Sequence, residues 1–136
     1  MAVDWGERRI GLAISDPRGV IATPAGFIQR RSGKRPPIAK LVEKAKELDA
    51  ASIVLGLPLD ENGDDTPRAT EVRTVATELQ HRTGLPVSLV DERYTTAAAR
   101  RAVRALGGRP EDRPGDVDAL SATVLLQHAL AAARAR

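Results

Sequence analysis

Residues Ser52 to Leu57 are almost uninterruptedly apolar and stop at Pro58. A short strand that reads this way is buried on both faces, as in a parallel sheet covered by helices. The flanking sequence agrees. Ile38, Leu41, Val42, Ala45 and Leu48 recur at helical spacing after Pro36-Pro37, a natural helix entry. Thr66 reads as an N-cap with Pro67 at the first helical position, and that helix runs to a stop at Gly84. Pro86 to Val90 is a further strand, ending in Asp91-Glu92-Arg93. Thr95 or Thr96 caps a helix that stops at Gly107-Gly108, and Val117 to Arg134 forms the last helix.

The N-terminal part carries a different period. Val3-Asp4 ends a strand, Trp5 to Arg9 makes a turn, and Ile10, Leu12 and Ile14 alternate with small residues as a second strand. Val20 to Gln29 supplies a third, broken or bulged near Pro24. Three strands in series form an antiparallel meander. The predicted order is β-β-β-α-β-α-β-α-α, an α/β fold with a mixed five-stranded sheet flanked by helices. The 136 residues suit one domain spanning 1–136. Alternation turns Trp5 away from Asp4 and into the core.

Composition narrows the chemistry. There is no cysteine, so disulfides, iron–sulfur clusters and thiol catalysis are excluded. The two histidines, His81 and His128, fall in helical segments, which argues against a histidine metal site or a Ser-His-Asp triad. No run approaches the ~18 apolar residues of a membrane span. No basic region followed by an apolar run marks a secretory signal. The expectation is a cytoplasmic protein without membrane contact. Net charge is +3, with arginine far outnumbering lysine. Arginine's planar fork suits phosphate, although codon bias explains the same composition.

Three acids stand where this topology gathers them. Asp4 ends the first strand, Glu92 follows the last, and Asp118 lies in the first turn of the last helix, with Asp116 before it. Carboxylates at strand ends on a common edge converge, and their mutual repulsion is relieved by a hard divalent cation. Such a cation activates water for phosphoryl displacement, so no side-chain nucleophile is needed. Singly, each acid has a plainer reading: Asp4 as turn chemistry, Glu92 as a surface ion pair with Arg93, Asp118 as a cap or helix-dipole partner.

Four blocks span nearly the whole chain: DWGERRIGLAISDP at 4–17, IVLGLPLDENGDDTPRA at 53–69, LPVSLVDERYTT at 85–96 and VDALSATVLLQ at 117–127. In content and order they resemble the YqgF/RuvX family of Holliday-junction-resolvase-like, pre-16S rRNA nucleases. The resemblance implies a ribonuclease H-like fold and a phosphodiesterase site dependent on Mg²⁺ or Mn²⁺. Position by position it makes Asp4, Glu92 and Asp118 both catalytic and metal-binding, with Asp116 a further candidate ligand. It also implies a role in 5′-end maturation of 16S ribosomal RNA, and some members are described as cutting branched DNA.

Two departures stand out. Only Met1-Ala2-Val3 precede Asp4, fewer residues than the family usually has. A strand that short is unexpected at a sheet centre, so residues upstream of Met1 are expected. Resolvases of this fold also place an acid on the fourth strand, where this chain has Gly56-Leu57-Pro58. Glu92 would replace it from the neighbouring strand.

Candidate nucleic-acid contacts surround these blocks. Arg8 and Arg9 follow Asp4, Arg93 follows Glu92, and Arg100, Arg101 and Arg104 share a helix face. Arg30, Arg31, Lys34 and Arg35 cluster in a Gly-containing loop. For Arg9 and Arg93 the expected role is to hold phosphate or to orient the carboxylates. Trp5, Phe27 and Tyr94 are the only aromatics, too few for a base-stacking platform. The partner expected is structured nucleic acid, pre-rRNA or branched DNA, read through backbone and shape. The acidic loop Asp60–Asp65 is a flap candidate.

Other readings stay open at this point. A nucleotide-binding module of the actin and sugar-kinase type shares the Asp-x-Gly turn but needs two such domains. A non-catalytic RNA-binding or assembly factor is a further alternative. Monomer and homodimer are both compatible, since no dimer interface is legible.

Overall fold

Side chains that alternate along a strand face opposite sides of its sheet, and here they sort the sheet into two unlike faces. The computed structural model describes residues 1–31, 35–93 and 114–135, without the side chains of 114–116. Its elements are β1 (Ala2–Trp5), β2 (Arg9–Ser15), β3 (Ala22–Gln29), α1 (Ile38–Glu47), β4 (Ile53–Leu57), α2 (Pro67–Thr83), β5 (Val87–Asp91) and α3 (Pro114–Arg134). The strands form one five-stranded sheet in the order β3-β2-β1-β4-β5. β1, β2 and β3 pair antiparallel, whereas β4 runs parallel to both β1 and β5. This is the mixed sheet expected. The helix expected between Thr95 or Thr96 and Gly107-Gly108 lies outside the described residues.

Large apolar side chains occupy one face. Val3, Trp5, Ile10, Leu12, Ile53, Leu55 and Leu57 form a buried cluster with Leu41 of α1 and Val72, Val75 and Leu79 of α2. Each such side chain contributes ~1.5–3 kcal/mol on burial. Trp5 is 1% exposed, as the alternation predicts. Small residues occupy the other face: Ala2 and Ala13 pack against Ala122, Leu125 and Leu126 of α3. Gly11 and Gly56 share this face by alternation.

Several boundaries differ from expectation, each for a physical reason. β1 is a central strand that runs one residue past Asp4 to Trp5, and at its start Val54 N–H donates to the Met1 carbonyl at 2.9 Å and Met1's amino group donates to the Ser52 carbonyl at 2.8 Å. β3 starts at Ala22 rather than Val20, because the Asp16 carboxylate accepts the backbone N–H groups of Val20 and Ile21 at 2.7 and 2.9 Å. The bulge expected near Pro24 is present: Gly11 pairs with Phe27 but Ala13 with Pro24, leaving an extra residue in β3. β5 extends to Asp91.

α3 begins at Pro114 rather than Val117, because proline at the first helical position is pre-set for helix entry. Asp118 therefore lies one turn inside the helix, not in its first turn. α2 follows its sequence signals closely. The Thr66 hydroxyl oxygen accepts the Ala69 N–H at 3.1 Å, and Gly84 ends the helix with φ 71°. The Thr66 hydroxyl also donates to the Pro58 carbonyl, which ties the start of α2 to the end of β4.

α3 comes close to the sheet at Gly11, which pairs with Asp4 across β1 and β2. A Cβ there would overlap the backbone carbonyl of Asp118. Backbone on both sides leaves no rotamer to relieve the clash. Gly11→Ala should therefore lower the unfolding free energy by ~1–3 kcal/mol or more, the usual cost of overpacking. Urea denaturation measures this, and an unshifted midpoint would refute the close approach.

Candidate active site

The C-terminal ends of β1, β4 and β5 lie on one edge of the sheet, because the three run parallel. Asp4 reaches that edge from β1 on the small-residue face. Glu92 follows β5 and is fixed by its own N–H, which donates to the Leu57 carbonyl at 3.2 Å. From there its side chain lies over Gly56, where a Cβ would come within 2.5 Å of Oε2. The missing acid of the fourth strand is thereby explained. Glycine on β4 makes room for a carboxyl supplied by the neighbouring strand.

Asp4 and Glu92 are hydrogen-bonded side chain to side chain, and the shifts they impose on each other identify Glu92 as the donor. Burial pushes the Glu92 carboxyl up to about 8, and the negative charge of Asp4 and the hydrogen bond to it add to this. Burial also raises Asp4; the bond from Glu92 opposes that rise, while the charge of Asp118 adds to it. Glu92 is therefore the acid that keeps a proton at neutral pH, held by burial and by the charge beside it.

Asp118 comes from α3 and is paired with Arg9 of β2 at 2.9 Å. Arg9 thus orients a carboxylate, one of the two roles expected of it. Among the described residues no three acidic or histidine side chains stand close enough together to hold an ion as a group. The predicted triad is therefore a hydrogen-bonded pair with Asp118 near it. The pair still fits a hard divalent cation, since its donors are all carboxylate oxygens. Asp116 lies in α3, its side chain outside the described residues.

The arginines divide in the same way. Arg8 is exposed in the turn after Asp4. Arg93 grips Asp91, with Nε at 2.9 Å from one carboxylate oxygen and a terminal nitrogen at 2.6 Å, and this holds Asp91 below its usual range. It also donates to the carbonyls of Asp60 and Glu61 at 3.4 Å. Arg93 therefore links the end of β5 to the acidic loop. That loop is a tied turn: the Asp60 carboxylate accepts from Asn62 and Asp64, and Asp65 pairs with Arg73 at 2.8 Å. Arg100, Arg101, Arg104 and Tyr94 lie outside the described residues.

One charge beside the acid pair was missed. Arg68 sits in the first turn of α2 and lowers the pKa values of both Asp4 and Glu92. Its guanidinium also pairs with Glu7 at 3.0 Å. The signal was available: a helix that follows a parallel strand begins at the edge where that strand ends.

This architecture has close relatives. The sequence model of the family described as "RuvX: Holliday junction resolvase" matches residues 1–132. The chain belongs to the RuvX family. It is 40% identical over 135 residues to a protein of Clavibacter michiganensis subsp. michiganensis named "Putative pre-16S rRNA nuclease", covering 99% of this chain and 84% of that one. A protein of the same name from a Roseiflexus species is 39% identical over 127 residues, covering 93% and 89%. Among solved structures, RuvC of Thermus thermophilus superposes with a TM-score of 0.60 over 98% of this chain and 94% of its own, at 15% identity. The same RuvC in complex with a Holliday junction superposes with a TM-score of 0.57. At that identity the likeness concerns the fold, which is ribonuclease H-like.

The Glu92 proton makes stability depend on pH. Between ~5 and about 8 the unfolded chain has lost the Glu92 proton while the folded protein keeps it. Stability without metal should therefore fall as pH rises through that window and level off above it. Glu92→Gln removes this dependence. Thermal unfolding in EDTA at both ends of the window should show a larger loss for wild type than for the variant, and equal losses would contradict the buried proton.

Proposed function

We propose that this RuvX-family chain is a divalent-metal-dependent nuclease that hydrolyses phosphodiester bonds in structured nucleic acid, most directly in the 5′-end maturation of pre-16S rRNA. The buried Asp4–Glu92 carboxyl pair carries the reading. Burying two acids side by side costs stability, and two apolar residues would close the same space without that cost. A site that waits for a cation accounts for the arrangement; a purely structural role does not. The names of the relatives support RNA as the substrate, and the cytoplasm, where such precursors are processed, as the location.

Asp4 and Glu92 would hold Mg²⁺ or Mn²⁺, with Asp118 as the adjacent acid. A divalent ion bound there supplies Lewis acidity at the phosphoryl oxygen and lowers the pKa of bound water. The chain's own residues do the rest. Glu92 gives up its proton before it can act as an anionic ligand, so metal affinity rises with pH. Arg68 offsets the remaining negative charge from the α2 side, and Arg9 holds Asp118 in place. Arg8, exposed in the turn after Asp4, would meet a substrate phosphate.

Cleavage of a four-way junction is the second reading, favoured by the family's description and by the fold shared with RuvC. A non-catalytic assembly factor is disfavoured, since it has no use for the acid pair.

Asp4→Asn should abolish Mg²⁺- or Mn²⁺-dependent cleavage and leave the thermal midpoint near that of wild type. Matched panels of pre-rRNA fragments and four-way junctions provide the assay. Undiminished cleavage by the variant would refute the site, and junction cleavage without RNA cleavage would reverse the order of substrates. Gly56→Ala brings a Cβ within 2.5 Å of Glu92 Oε2 and 3.3 Å of the buried Leu125, so the Glu92 carboxyl must shift. Its cleavage rate should drop roughly 10- to 100-fold, and full activity would show that the Glu92 position is immaterial.

A further inference from the structure

A second charged feature lies on the same edge of the sheet, outside the acid pair. Gln29, Arg30, Arg31, Arg35, Pro37 and Lys40 line an open cavity of about 330 Å³ between the end of β3 and the first turn of α1. Its place follows from strand pairing. Gln29 pairs with Arg9, and Arg30 N–H donates to the Arg8 carbonyl at 2.7 Å. The cleft therefore adjoins the turn that follows Asp4 and Trp5.

Its cations are of two kinds. Arg30 is part of the fold: it pairs with Glu71 at 2.9 Å, donates to the Gly6 carbonyl at 2.8 Å and stacks on Trp5 at 4.7 Å from the ring centre. Arg31, Arg35 and Lys40 are exposed, and among the described residues no carboxylate pairs with them. Arg9, Arg68, Arg73, Arg82 and Arg93 each have such a partner. Three like charges around one concavity raise its potential and gather anions there.

Distance supplies the link to the acid pair. β3 lies two strands from β1, ~10 Å at the usual strand spacing, with the cleft on the α1 side of that edge and the acids on the α3 side. A nucleic-acid strand crossing the edge spans this in about three nucleotides or more, at ~3.4 Å rise each.

We propose that this cleft holds backbone phosphates of the polynucleotide being cut, a few nucleotides from the scissile bond. The inference rests on the nuclease reading above and adds a docking site for the flanking strand. Such contacts read charge and spacing rather than base identity, as suits a chain with only three aromatic residues.

Binding in EDTA tests this apart from catalysis. The Kd for a fluorescently labelled RNA hairpin is measured across NaCl concentrations for wild type, for Arg35→Ala/Lys40→Ala, and for Lys44→Ala/Lys46→Ala. The last pair removes equal charge from the last turn of the same helix. The cleft variant should bind about tenfold more weakly at low salt. Its log–log salt slope should fall by roughly 2, at ~0.9 for each phosphate no longer neutralised, while the control stays near wild type. Equal weakening in both variants, an unchanged slope, or no hairpin binding by wild type would overturn the proposal. Should the double variant fail to fold, Lys40→Ala alone should lower the slope by about 1. No cleavage is measured, so failure of the nuclease reading would leave this result standing.

Discussion

The close approach of α3 to the small-residue face of the sheet sets the geometry of the acid-bearing edge. At Gly11 the helix backbone meets the strand backbone with no side chain between them. Ala2 and Ala13 extend the same low surface beneath Ala122 and Leu125. Because Gly11 is paired with Asp4, a spot where the helix comes close is also the spot where the first acid emerges. Asp118 and its partner Arg9 are brought to Asp4 by that contact rather than by any attraction among the charges. Packing of apolar and small groups does the work against which the electrostatic cost is set.

That cost is contained by a few specific groups. Glu92 keeps its proton, so the buried pair carries one charge rather than two. Arg68 contributes positive charge from the first turn of α2, where the helix N-terminus is itself favourable to anions. Asp91, next to Glu92 in sequence, is held ionised by Arg93, and its charge still adds to the rise of Glu92. One carboxyl is thus neutral by protonation and its neighbour ionised by pairing. Alternation and burial send adjacent acids to opposite fates.

Much of the fold was readable because it is written in local chemistry. Thr66, Pro67 and Gly84 mark the ends of α2 through hydrogen bonding and backbone preference that need no distant partner. The run from Ile53 to Leu57 marks a buried strand, and the alternation through Trp5, Ile10 and Leu12 marks the core face. The plainer local readings fail where a local signal competes with a longer-range one. Asp118 reads as a cap because it stands near the start of a helix, yet the helix begins at Pro114. Arg93 reads as the partner of Glu92, yet Glu92 is drawn to Asp4 across β4, which leaves Arg93 to Asp91 and the loop carbonyls.

By itself the sequence determined the type and order of the described elements, the inward face of β1 and β2 and the choice of Asp4, Glu92 and Asp118 as candidate acids. These depend on period, caps and residue chemistry, which act within a few positions along the chain. Only the tertiary structure decided which charges meet: Glu92 with Asp4 over Gly56, Arg9 with Asp118, and Arg68 beside the pair. It also decided that Arg31, Arg35 and Lys40 surround one cleft on the acid-bearing edge. Electrostatic energy depends on distance and on exclusion of water, and the strand order 3-2-1-4-5 sets both.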